Sequence, residues 1–188
     1  LHSFPTRRSS DLVGLMACGL FFMGQFALFT YVRPFLETVT HVSPSGLSLI
    51  LLTIGIAGFI GTLIVALVLN AAFYLTLMAI PLLMALIAGV LMLTGDSLWI
   101  VALLLGFWGM LATAAPTGWW TWIARTLPED AEAGGGLMVA VIQLSIALGS
   151  TAGGVVFDTF GWQSTFALSS ILLLSAGVLT FTTSRHRK

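Results

Sequence analysis

Few side chains in this sequence could do chemistry, and their scarcity makes each one informative. The chain holds seven basic and seven acidic residues among 188, so every polar group inside an apolar run needs a reason. Gln143, in "VAVIQLSIALGS", is the strongest candidate. An amide offers two donors and an acceptor, and about a third of the way into an apolar helix it must pair with another helix or face a solvated cavity. Hydrogen bonds between helices in a membrane average only ~0.6 kcal/mol. Stabilisation alone is therefore a weak reason for Gln143, and contact with a substrate or a gate is the functional one. Gln25, in "GQFALFTYVRPFLE", shares a helix face with Phe29 and Val32 at spacings of four and three.

Arg33 follows about 20 residues after that apolar run begins, which puts it near the outer membrane boundary. A charge at mid-membrane costs about 2.5–3.5 kcal/mol even on the lenient insertion scale, whereas an arginine near a helix end can snorkel. An interfacial anchor paired with Glu37 one turn on and a substrate contact both fit. Pro34 removes the amide that would have bonded to Thr30, and Pro116 does the same to Ala112. Both prolines mark expected kinks and gating points. Trp119, Trp120 and Trp122 crowd the end of their run near Arg125. They read as an aromatic belt at the headgroups, with stacking on a substrate, by Trp119, as the functional alternative.

Glycines form two further sets. Gly55, Gly58 and Gly61, and separately Ser145, Gly149 and Gly153, recur at three or four residues. Each set is expected on one helix face, either for close packing or as a surface on which helices slide. Other chemistry has no visible machinery. Cys18 is the lone cysteine, His2, His41 and His186 are scattered, and there is no HExxH, phosphate loop or GxSG. We expect no enzyme, no metal or other cofactor, and no nucleic-acid partner.

The elements that position these residues follow from composition. With 58% hydrophobic and 7% charged residues, against roughly 25% charge in a soluble domain, this is an integral membrane protein whose first partner is the lipid bilayer. A helix needs about 20 apolar residues to cross the hydrocarbon, whereas barrel strands alternate over about 10. Runs such as Leu47 to Leu69 decide for helices. Hydropathy predicts six spans, at residues 13–38, 45–69, 72–93, 98–124, 136–157 and 164–183. The third and sixth, nearly all Leu, Ile, Ala and Val, are expected to face lipid. Arg125, Arg185, Arg187 and Lys188 would share one side against Arg33 opposite, which makes both ends cytoplasmic.

The leader "HSFPTRRSSDL" has no apolar core before a small-residue cleavage site, so it is no secretory signal. It looks like the in-frame translation of an adapter oligonucleotide. Residues 1–12 are accordingly expected to be a non-native scar, residues 13–183 the transmembrane domain and residues 184–188 a basic cytoplasmic tail. A short amphipathic arm with Arg7 and Arg8 at the headgroups is the alternative. Inside the domain, the second span reads "IGIAGFIGT" and the fifth "LSIALGSTAGG". They would run in opposite directions, so the six spans suggest two inverted sets of three, as in the halves of many secondary transporters.

Three stretches carry a resemblance: "GQFALFTYVRPFLE", "PTGWWTWIARTLPEDAEAGGGLMVAVIQL" and "GGVVFDTFGW". From about Val13 to its end, the chain resembles the C-terminal half of the major facilitator superfamily, in its drug:proton antiporter branch, and is most similar to bacterial purine ribonucleoside exporters. The resemblance implies half of a twelve-helix fold in a bacterial inner membrane, with a missing N-terminal six-helix half. It also implies alternating access, a small-molecule substrate, and protons as the coupling ion. Matching residues include Gln25, Phe26, Thr30, Tyr31, Arg33, Pro34, Trp119, Arg125 and Gln143. Of these, Gln25 and Gln143 are expected to hydrogen-bond in the cavity and Phe26 to form an aromatic wall. Two departures stand out: "VLNAAFYL" lacks the basic residues usual between the second and third spans, and no carboxylate lies mid-span. A non-transporting six-span assembly protein, held by its glycine faces, and a channel-like homodimer are the alternatives from other classes.

Overall fold

In hydrocarbon every backbone amide must be satisfied within its own segment, and the long Leu, Ile, Val and Ala runs meet that demand as helices. The computed structural model describes residues 4–127 and 131–185. It holds α1 (Phe4–Phe29), α2 (Val32–Thr38), α3 (Pro44–Thr94), α4 (Leu98–Thr126), α5 (Ala131–Phe160) and α6 (Trp162–Arg185). There is no strand among the described residues. Five helical stretches are long and apolar enough to cross a bilayer: Asp11–Thr38, Pro44–Thr94, Leu98–Thr126, Glu132–Phe160 and Trp162–Arg185. His2, the "PED" of the fourth connection and residues 186–188 of the tail lie outside the described residues.

Two departures from the expected spans have physical causes. The first span is broken: α1 stops at Phe29 and α2 restarts at Val32, because Pro34 has no amide for the Thr30 carbonyl and its ring crowds that turn. The Tyr31 amide falls back on the Leu28 carbonyl at 2.9 Å, a tighter turn. Conversely, the second and third spans are joined in α3, which starts on Ser43 as N-cap and Pro44 in its first turn. Its only break is Ala72, at φ −153°, ψ 69°. There the Thr76 hydroxyl donates to the Ala72 carbonyl at 2.8 Å and reaches the Val68 carbonyl at 3.4 Å. Eight residues of straight helix cover ~12 Å, so the axis turns sharply at Ala72 and α3 has two arms. The turn from α5 to α6 is a single residue, Gly161, at φ +90°, a backbone conformation open to glycine at little cost.

α1 lies against α5 and α6, and α3 against α4 and α6. The expectation that the third and sixth spans face lipid needs correction. Ile171, Leu174 and Val178 of α6 are exposed, but Phe166, Ser169, Leu173, Ala176 and Gly177 are buried. Gly177 meets Leu82 of the second arm. The Ser170 hydroxyl donates to the Ala85 carbonyl at 2.9 Å and the Ser169 hydroxyl to the Gly24 carbonyl at 2.6 Å. Small and hydroxyl residues let these helices meet closely. α1 itself begins at Phe4, so the helix runs through the boundary expected at residue 12.

Candidate functional site

Two seams frame the candidate site, each built on glycine. In the first, α5 is applied to α1: a methyl group on Gly149 would collide with the Met23 carbonyl, and one on Gly153 would come within 2.6 Å of the Ala27 carbonyl oxygen. Ser145, one turn earlier, faces Gly19. The partners advance together along both helices, so α1 and α5 are parallel. In the second, the first arm of α3 is applied to α4. Gly58 meets Thr113, Gly61 meets the Met110 carbonyl, and Gly109 faces Ile54. From Thr53 against Gly106, through Gly58 against Thr113, to Leu69 against Gly118, the partners again advance together, so these helices are parallel as well. Gly55 stands outside the seam, with nothing within 4 Å of where its Cβ would be, so the expected glycine triad is a pair.

The α1–α5 seam also carries polar links at the break in α1. The Thr30 hydroxyl donates to the Phe26 carbonyl at 2.7 Å and lies 2.9 Å from the Ser150 hydroxyl. The Tyr31 hydroxyl donates to the Ser150 carbonyl at 2.7 Å, and its ring stacks on Phe157 at 5.3 Å. Beyond this seam α5 presents an open face. Gly136, Ala140, Gln143, Ala147 and Thr151 recur at spacings of four, three, four and four, and all are exposed. To one side of this small and polar stripe stand Leu137, Leu144, Leu148 and Val155, a surface suited to lipid. Gln143 is exposed and makes no side-chain hydrogen bond to the described residues.

The other expected residues divide. Phe29 is exposed and Phe26 half-buried, their rings edge to face at 6.3 Å. Gln25 is buried, and its Oε1 accepts no hydrogen bond among the described residues. An unmet acceptor of this kind costs about 1–3 kcal/mol. Arg33 is paired with Glu37 at 2.9 Å on the outer face of α2, whose other face buries Val32, Phe35 and Leu36. The pair lines a recess of about 390 Å³ with Val42, Leu47 and Ser48. Pro116 sits inside an unbroken α4.

The tryptophans do not form a belt. Trp119 and Trp122 are each 1% exposed and meet edge to face at 6.1 Å, whereas Trp120 alone turns outward. Gly14 makes room for the Trp122 ring. With Tyr74, Leu77, Thr180 and Thr183 around the pair, no water-sized space is left. In this conformation Trp119 presents no surface to a substrate. The basic group absent from "VLNAAFYL" arrives from α4: the Arg125 guanidinium lies 4.2 Å over the Phe73 ring, next to the break at Ala72. Sequence reasoning missed this pairing, although Phe73 and Arg125 were each visible at a span end. No cluster of metal-ligating side chains occurs among the described residues.

The family model described as Major Facilitator Superfamily matches residues 15–188. The chain is 61% identical over 181 residues to a Pseudomonas aeruginosa protein named transcription regulatory protein OpdE, covering 96% of this chain and 45% of that one. It is 40% identical over 168 residues to the purine ribonucleoside efflux pump NepI of Salmonella enteritidis, covering 89% of this chain and 42% of the pump. The pump of that name from Salmonella typhimurium matches to the same extent. The chain thus spans less than half the length of these relatives.

Proposed function

The chain belongs to the Major Facilitator Superfamily, and from that premise we propose that it is the C-terminal half of a secondary active efflux transporter working by alternating access. The cargo is a small molecule, a purine nucleoside ahead of a sugar or an amphipathic drug, exchanged for protons. The two arms of α3 are the second and third of six spans, and the six form a 3+3 inverted repeat. The seams support this. In each, the second helix of one set of three gives its glycines to the first helix of the other set: the first arm of α3 to α4, and α5 to α1. Both ends of the domain are cytoplasmic, in a bacterial inner membrane, and an N-terminal six-helix half covers the open faces of α5 and of the first arm.

The observation that carries the reading is the exposed stripe around Gln143, small and polar where the neighbouring side of α5 is leucine and valine. Lipid alone would not favour an unpaired amide at this depth. Gln143 reads the edge of a heterocycle, and Phe26 and Phe29 pack its face. Gln25 supplies a second amide once α1 moves at its break. Arg33 and Glu37 stand at the outer exit. The printed name of the Pseudomonas relative points to regulation, but five apolar helices and seven basic residues in 188 favour transport over contact with nucleic acid.

The test is Gln143→Leu in the full-length protein. Export of a radiolabelled purine nucleoside from loaded vesicles should be abolished, with expression and thermal stability kept. Export at the wild-type rate would reject the site.

A further inference from the structure

We propose that the Thr30–Ser150 hydroxyl pair is a second recognition point on this stripe, a subsite for the sugar hydroxyls of a nucleoside-like substrate. The inference rests on the reading of Gln143 above and deepens it. Its chemistry follows from where the protons go. Thr30 gives its single hydroxyl proton to the Phe26 carbonyl at 2.7 Å, so in the 2.9 Å contact the Ser150 hydroxyl must be the donor and Thr30 the acceptor. Both protons are then committed. Each oxygen keeps acceptor capacity, because a hydroxyl has two lone pairs. The pair therefore offers acceptors alone, and what it recognises is a donor on the ligand, such as an O–H.

Position and spacing agree with that role. Thr30 is exposed, next to the exposed Phe29. Ser150 lies seven residues beyond Gln143 on the same side of α5, ~10 Å along the axis at 1.5 Å per residue. Between them Ala147 leaves a flat, exposed floor. A base joined to a pentose spans such a distance, with the amide at its heterocyclic edge and the hydroxyl pair at its sugar. Orientation is fixed by the difference in chemistry, since Gln143 both donates and accepts whereas the pair only accepts. The Tyr31 hydroxyl holds Ser150 in register through the serine's carbonyl at 2.7 Å.

The experiment measures binding of three probes to the complete purified chain: a purine ribonucleoside, its 2′,3′-dideoxy analogue and the free base. Wild type should prefer the ribonucleoside to the dideoxy analogue by about tenfold, the scale of one or two hydrogen bonds. Thr30→Val keeps the branched shape and Ser150→Ala removes only an oxygen. Each should cut that preference to about twofold or less, with the dideoxy affinity unchanged, and the double variant should add little because the pair acts as a unit. Thr30→Ser should restore the preference. A preference kept in both single variants overturns the subsite, and so does an equal loss for all three probes, which would mark a packing role. If Gln143→Leu weakens every probe while Thr30→Val changes none, only the subsite fails. If wild type binds none of them, the nucleoside reading fails and takes the subsite with it.

Discussion

The α1–α5 and α3–α4 seams bring backbones together in the same manner, with glycines of one helix against carbonyls of its parallel neighbour, yet they differ in what surrounds the contact. At α1–α5 the helix opposite the glycines is broken, and hydroxyls of Thr30, Tyr31 and Ser150 tie the break to α5. At α3–α4 the glycine-bearing helix breaks instead. Its repair is internal, through Thr76, with Arg125 laid over Phe73 beside it. One seam therefore opens onto side chains that can hydrogen-bond a solute, and the other supplies close packing with an aromatic clasp. Alike in their glycines, the two seams differ in where polar chemistry was placed.

The largest test of that likeness is bulk. Gly149→Val and Gly61→Val each force a side chain into a backbone carbonyl, and overpacking of this kind costs about 3 kcal/mol. Both should lose most monodisperse protein by size exclusion in detergent. Tolerance at one seam alone would break the equivalence. A smaller effect separates them: Tyr31→Phe removes the hydrogen bond to Ser150 but keeps the ring on Phe157, for about 1 kcal/mol. A thermal melt should record that loss, and transport should fall more than stability if the break in α1 moves during the cycle. Smallest is Gly55→Ala, which meets open space and gains helix propensity of up to about 1 kcal/mol. A melting point lower than wild type would place Gly55 in a contact, contrary to the structure.

What the sequence revealed depended on how local the cause was. The break before Pro34 and the Arg33–Glu37 pair follow from neighbours within one turn, so both were legible. Gly149 and Gly153, spaced by four, were legible for the same reason. Gly55 was not a true member of its set: six residues separate it from Gly61, and at 3.6 residues per turn that is about 120° around the helix. The burial of Trp122 depends on Gly14 making room for its ring on a helix more than 100 positions away in sequence. The Thr30–Ser150 pair joins residues 120 positions apart, which no periodicity reports. The turn at Ala72 lacks both glycine and proline, and only the asparagine in "LNAA" hinted at it.

That turn bears on how the protein is made. The helix that contains it runs 51 residues, Pro44–Thr94, without an aspartate, glutamate, lysine or arginine. Topology is set by lysines and arginines close to the ends of a hydrophobic segment, and neither arm carries one of its own. Insertion machinery cannot orient the two arms one at a time from internal signals. The nearest positive charges are Arg33 upstream and Arg125 downstream, so a charge signal that orients these arms has to come from outside the helix.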